Sequence, residues 1–243
     1  MTRLLCALLF GLAAPAYAQQ SLGTLATLCG GLDANRELAI DTTLALPARA
    51  VVVASIAGRG DVLADLSIVD PGASSFSAIG AQRARTTVKL RVAQLAALAG
   101  AALPAGSRFT LRSGSAEPGT PVCVVLHAFA DVAVGASALQ SRAADSGSSA
   151  ALSLTGGASG DATPQLLLAA FALSADPGGF TAVPPATATS VCAAGGTLCL
   201  GTLSSTDPGT GLLTLGATLG ASVTWSGALA SLDRDTMLKD GFE

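Results

Sequence analysis

The stretch Pro121-Val122-Cys123-Val124-Val125-Leu126-His127-Ala128-Phe129-Ala130-Asp131-Val132-Ala133-Val134 decides how this chain is read. It is rich in Val and Phe, is entered through Pro118-Gly119-Thr120, and holds the one histidine of the sequence. β-branched and aromatic residues suit a pleated surface, and an apolar run bounded by turn residues reads as a buried strand. Working outward, residues 50–56 (AVVVASI) and 165–173 (QLLLAAFAL) have the same character and read as strands buried on both faces. Residues 38–46, 62–69, 107–113, 151–154, 212–219 and 221–226 read as further strands. Asp70-Pro71-Gly72 and Asp176-Pro177-Gly178-Gly179 place Pro and Gly where turn chemistry wants them. Residues 93–103, rich in Ala and Leu and followed by Pro104, read as one short helix.

The fold class expected is all-β: a β-sandwich, as two small sandwiches in tandem, with at most one or two short helices. The first is placed at residues 19–134 and the second at 151–235. Between them, residues 135–150 end in Ser146-Gly147-Ser148-Ser149 and read as a flexible linker. Residues 236–243 form a C-terminal tail.

Compartment follows from the ends and the cysteines. Arg3, the apolar run 4–14 and Ala16-Tyr17-Ala18 have the form of a secretory signal peptide, residues 1–18, with cleavage after Ala18. No later run is apolar and long enough to suggest a membrane span. The predicted mature chain is exported: periplasmic, secreted or at the cell surface. It keeps Cys29, Cys123, Cys192 and Cys199, an even number that suggests two disulfides. Of the three pairings open to four cysteines, the short turn between Cys192 and Cys199 favours their union, which leaves Cys29 with Cys123. No Cys-x-x-Cys or nearby histidine supports a metal site, and no cofactor motif is present.

The charge pattern narrows the partners. Lys and Arg number 13 against 16 Asp and Glu, a net charge of −3, which argues against nucleic acid. Residues 82–94 alternate so that Arg83, Arg85, Lys89 and Arg91 share one parity of an expected single strand, with aliphatics on the other. Such a row is either a solvated face or a ligand-binding patch for an anionic glycan or lipid head group. Arg59-Gly60-Asp61 has the form of an integrin-recognition tripeptide, although Gly and Asp also suit an ordinary turn. His127 shares parity with Cys123, Val125 and Phe129, which reads as a buried, non-catalytic histidine. No catalytic constellation is assigned.

Residues 146–180, reading SGSSAALSLTGGASGDATPQLLLAAFALSADPGGF, resemble a β-sandwich module found in tandem in secreted and phage-associated bacterial proteins. The stretches TTVKLRVAQ, FTLRSGSA and CVVLHAFADV are similar to the second half of such a module. Val183-Pro184-Pro185-Ala186 stands where these modules carry Pro-Gly-Trp. The resemblance implies a structural or display role and carries over no site residues. Lys239-Asp240-Gly241-Phe242-Glu243 is similar to short tails that end secreted proteins of some gammaproteobacteria. The function expected is a secreted, non-catalytic structural, surface-display or adhesive protein, its partner a cell-surface polyanion or another surface protein. A soluble module for an anionic ligand is the alternative, and a secreted hydrolase ranks third.

Overall fold

The structure, a computed structural model, describes residues 20–60, 63–79, 83–85, 89–130, 139–156, 165–207 and 214–233. The expected signal peptide and the tail 236–243 lie outside the described residues. The first half contributes β1 (Gln20–Gly31), β2 (Glu37–Asp41), β3 (Val51–Arg59), β4 (Leu66–Val69), β5 (Ser77–Ala78), β6 (Arg83–Arg85), β7 (Leu90–Leu98), β8 (Arg108–Ser113) and β9 (Pro121–Ala130). The second half contributes β10 (Leu139–Thr155), β11 (Gln165–Leu173), β12 (Phe180–Ala182), β13 (Thr187–Cys192), β14 (Cys199–Asp207) and β15 (Thr214–Asp233). Among the described residues the only helical element is a 3-10 turn at Ala194–Gly196.

The protein is all-β, with antiparallel strands throughout. One six-stranded sheet runs β1-β9-β3-β7-β5, with β6 also paired to β7. A three-stranded sheet, β2-β8-β4, covers one face of it. The core between them is built from Val52, Ala54 and Ile56 of β3, Val124 and Leu126 of β9, Ala93 and Leu95 of β7, and Phe109 and Leu111 of β8. The second half forms one six-stranded sheet, β10-β15-β11-β14-β13, with β12 on β15. It closes over its own core of Leu167, Phe171, Leu203, Leu215 and Trp225. Closure is possible because β15 gains residues relative to β10. Ser149 pairs with Val223 but Ala151 pairs with Thr218, so the surplus on β15 bends the ladder there. Gly220 sits in the surplus, where a Cβ would come within 2.7 Å of the Pro177 carbonyl oxygen.

The two six-stranded sheets then pack face to face. Odd positions of β3 and β9 (Val51, Val53, Ala57, Cys123, Val125, Phe129) meet even positions of β11 (Leu166, Leu168, Ala170, Ala172), with Leu200 of β14 and Ala228 and Ala230 of β15. That explains why β3, β9 and β11 read as apolar on both parities: each strand has a core on either side.

This packing corrects three expectations. Residues 93–98 are strand, because Ala93 and Leu95 enter one core while Ala96 enters the seam between the sheets. Burial on alternating faces overrides the helix preference of Ala and Leu. Residues 139–150 of the expected linker belong to β10, whose backbone is held by β15 along its length. Residues 214–219 and 221–226, expected in two strands, are parts of one strand, β15. The halves therefore share a buried seam instead of standing as separate modules on a flexible joint.

Truncating the seam should destabilise both halves together. Leu168→Ala is expected to cost about 2–5 kcal/mol. Trp225 fluorescence, which reports the second half, should melt at the same temperature as far-UV circular dichroism. Two separated transitions would show that the halves unfold independently.

Candidate functional site

The seam holds His127, the histidine that the sequence places in an apolar strand, together with further buried polar side chains. β9 carries His127 toward the second sheet, opposite Thr24 of β1 and Val53 of β3 in register. Its Nε2 lies 2.9 Å from Thr202 Oγ1 of β14, and its Nδ1 lies 3.4 Å from Thr24 Oγ1. Thr202 Oγ1 in turn donates to the Thr189 carbonyl at 3.4 Å, and Thr24 Oγ1 lies 3.3 Å from Thr189 Oγ1. The consistent assignment gives Nε2 the proton, so that Thr202 accepts from it and Nδ1 accepts from Thr24. Two hydroxyls, one from each half, thus hold one ring, and the Thr189 hydroxyl stands behind that of Thr24.

The ring is 5% exposed, and burial lowers its pKa from 6.5 to about 4. Neutral imidazole is the state the seam accepts. The ring also sits 6.1 Å from Phe129, centroid to centroid, within an apolar strand. This is the geometry of a structural histidine with its polar atoms satisfied.

Two further bridges cross the seam. Gln94 Nε2 donates to the Leu168 carbonyl at 3.1 Å. Arg59 Nη2 donates to the carbonyls of Ser174 and Thr197, each at 2.8 Å. Arg59 was singled out as the first residue of a recognition tripeptide. Its guanidinium instead ties the end of β3 to two loops of the second half. Gly60 occupies the left-handed region at φ 67° and bonds to Lys89 O, as a turn residue. Asp61 lies outside the described residues.

The basic row is reorganised. The chain turns at Lys89, so β6 and β7 are two paired strands. Their register sets Arg83 opposite Val92, Ala84 opposite Arg91 and Arg85 opposite Leu90. The four cations are therefore divided between β6, the residue before β7, and β7 itself. Lys89 is exposed at the turn, with φ 49°, and Arg91 is half-buried. The single strand expected over residues 82–94 is thus two strands.

The outer face of the three-stranded sheet carries opposed charges in register. Arg108 pairs bidentately with Asp41 at 2.8 and 3.0 Å, and Arg112 with Glu37 at 2.7 Å. Hydrogen bonding to Arg108 lowers the Asp41 pKa. A recess of about 190 Å³ opens between β4, β5 and β7, walled by Leu66, Phe76, Ala93 and Leu95 with Asp65 among its lining. It is smaller than the usual cleft for a drug-sized ligand.

Both disulfides are formed, Cys29–Cys123 and Cys192–Cys199. Each joins directly opposed residues of neighbouring strands, β1 with β9 and β13 with β14. Asp176 lies near Cys192 and Cys199. Their sulfurs are bonded to each other, so the thiolates a metal would need are absent from that trio. The disulfides fit an oxidising compartment. Among the described residues, no helix is long and apolar enough to cross a membrane.

Compared with protein-family models, curated proteins and solved structures, the chain matches none.

Two measurements follow from this geometry. Between pH 6.5 and about 4 the unfolded chain takes up a proton at His127 that the folded chain refuses. Stability contributed by the neutral ring is therefore full above pH 6.5 and is lost as pH falls toward 4, by on the order of 3 kcal/mol. Urea titrations across that range should show the loss, and His127→Gln should flatten it while lowering stability at pH 7 by about 1–3 kcal/mol. An unchanged pH dependence in the variant would place the titration elsewhere. The disulfides should differ in weight because their sequence separations are 94 and 7 residues. Chain-entropy reasoning gives about 4–5 kcal/mol for Cys29–Cys123 and about 2 for Cys192–Cys199. Paired Cys→Ser variants compared by chemical denaturation check the order.

Proposed function

We propose that this is an exported, non-catalytic structural or surface-display protein of β-sandwich type, with adhesion among the roles such a surface serves. The observation that carries the reading is the use made of its distinctive polar side chains. His127, Gln94 and Arg59 bridge the two halves of the fold. The groups from which chemistry could be built act as fasteners between two sheets. The two disulfides support export to the periplasm, the medium or the cell surface. The likeness of residues 146–180 to tandem sandwich modules of secreted and phage-associated bacterial proteins points the same way.

The second reading, a module for an anionic glycan or lipid head group, rests on Lys89, exposed immediately before β7 and close to Arg83, Arg85 and Arg91 in the chain. Its affinity would fall with salt as screening demands.

Fractionation with surface labelling of cells that make the full chain tests the first reading. The expected outcome is oxidised protein in the exported fraction and open to label. Reduced protein retained in the cytoplasm would overturn it. Arg85→Glu with Arg91→Glu separates the two readings. Under the structural reading, retention on lipopolysaccharide or heparin at physiological salt is no greater for the wild type than for the double variant. Salt-sensitive retention of the wild type that the variant loses would favour the anionic-ligand module.

A further inference from the structure

The sheets differ in how their edges are finished. β1, an edge of the first sheet, is interrupted by register shifts at Ser21/Gly23 and Thr24/Ala26, and its Leu25 carbonyl is taken by the Thr43 N–H and hydroxyl. The opposite edge consists of β5 and β6, of two and three residues. β2 and β4 have five and four residues. β13 has six, follows Pro184-Pro185 and ends in a disulfide. Short strands, bulges and proline are the usual means of keeping an edge from pairing with another chain.

β10 has little of this protection. It is 17 residues long, and among the described residues its one paired neighbour is β15. Between its two register shifts, Ala143–Ser149 keeps unbroken pairing with residues 223–229. This run, Ala-Ala-Asp-Ser-Gly-Ser-Ser, has no proline and no lysine, and its side chains are small. The charged Arg142 beside it points to Ser231 and Gln165 of its own chain. The Ser146 N–H is held by the Asp145 carboxylate at 2.7 Å. In an antiparallel ladder alternate residues turn their N–H and C=O away from the paired neighbour, and an amide taken by an adjacent side chain fits the outward-turned set.

We infer that β10 is a self-association edge, at which a second copy of this chain pairs antiparallel through Ala143–Ser149. A two-fold axis at Ser146 sets Ser146 opposite its counterpart and Asp145 opposite Gly147 of the second copy. The single charge of the run thus meets a glycine and never its own kind. Ser146 N–H exchanges the Asp145 oxygen for the Ser146 carbonyl of the second copy. The small side chains let the backbones approach, and the pairing continues one six-stranded sheet into the other. One isologous contact closes both open edges at once, so the product is a dimer and not a fibre. The inference stands independently of the role proposed above.

Sedimentation velocity of the purified full chain, from micromolar to millimolar concentration, tests it. The wild type is expected to shift from monomer to dimer within that range. Ser146→Pro removes the N–H that the Asp145 carboxylate holds, and Ala144→Lys adds a gatekeeping charge to the same edge. Each should raise the dimer dissociation constant by about tenfold or more, with circular dichroism and thermal midpoint retained for at least the lysine variant. Ser146→Cys should give a disulfide-linked dimer on oxidation, because the register sets that residue against itself. A wild type that stays monomeric to millimolar concentration overturns the proposal, and leaves β10 to a strand from another protein. A dimer that both edge variants leave intact also overturns it, since another surface would then hold the copies together.

Discussion

Everything in this fold depends on two six-stranded sheets being pressed face to face. Sheets pack at about 10 Å, and that spacing admits only moderate side chains where both surfaces are flat. The seam meets this limit with Ala57, Ala96, Ala170, Ala172, Ala228 and Ala230, interleaved with Val and Leu, and with Phe129 near one end. Because β3, β9 and β11 spend one parity on the seam and the other on their own half's core, each becomes a strand without a polar side. A seam this apolar would tolerate sliding of one sheet over the other. The few polar bridges, from His127, Gln94 and Arg59, have fixed geometry and are satisfied only in one alignment.

The same constraint explains what the sequence made legible and what it hid. Doubly buried strands such as Val51–Arg59 and Gln165–Leu173 were readable because continuous apolar runs bounded by turns have few other interpretations. The disulfide partners were readable from spacing because one pair is local and leaves the other by exclusion. Hidden were features in which a tertiary surface, absent from any local window, decides the outcome. Residues 93–98 look helical alone and become a strand only because a core lies on each side. Ser146–Ser149 look like a linker because small polar residues usually are; here they lie along β15 over Trp225, where Gly147 leaves room for the indole.

The basic residues show a different kind of limit. Period-two alternation assumes a strand that continues, and no Gly or Pro between Arg85 and Leu90 signals that β6 and β7 are separate, paired strands. Lys89 takes the left-handed conformation that a turn usually gives to glycine or asparagine. Arg59 stands in a tripeptide with the form of a recognition motif, and His127 reads as a buried core residue. Their partners are the carbonyls of Ser174 and Thr197 and the hydroxyls of Thr24 and Thr202, far away in the chain. Only a few of those partners belong to residue types that invite attention in a sequence.

Cys29 and Cys123 are opposed across β1 and β9, and 94 residues separate them. This has a consequence for the order in which the chain is made and moved. The first strand described has no neighbour in its sheet until the last strand of the first half has emerged. For the time it takes to deliver those residues, Cys29 is a free thiol on an unfinished polypeptide. The crosslink therefore records completion: it closes only once residue 123 has been delivered and laid beside the first strand.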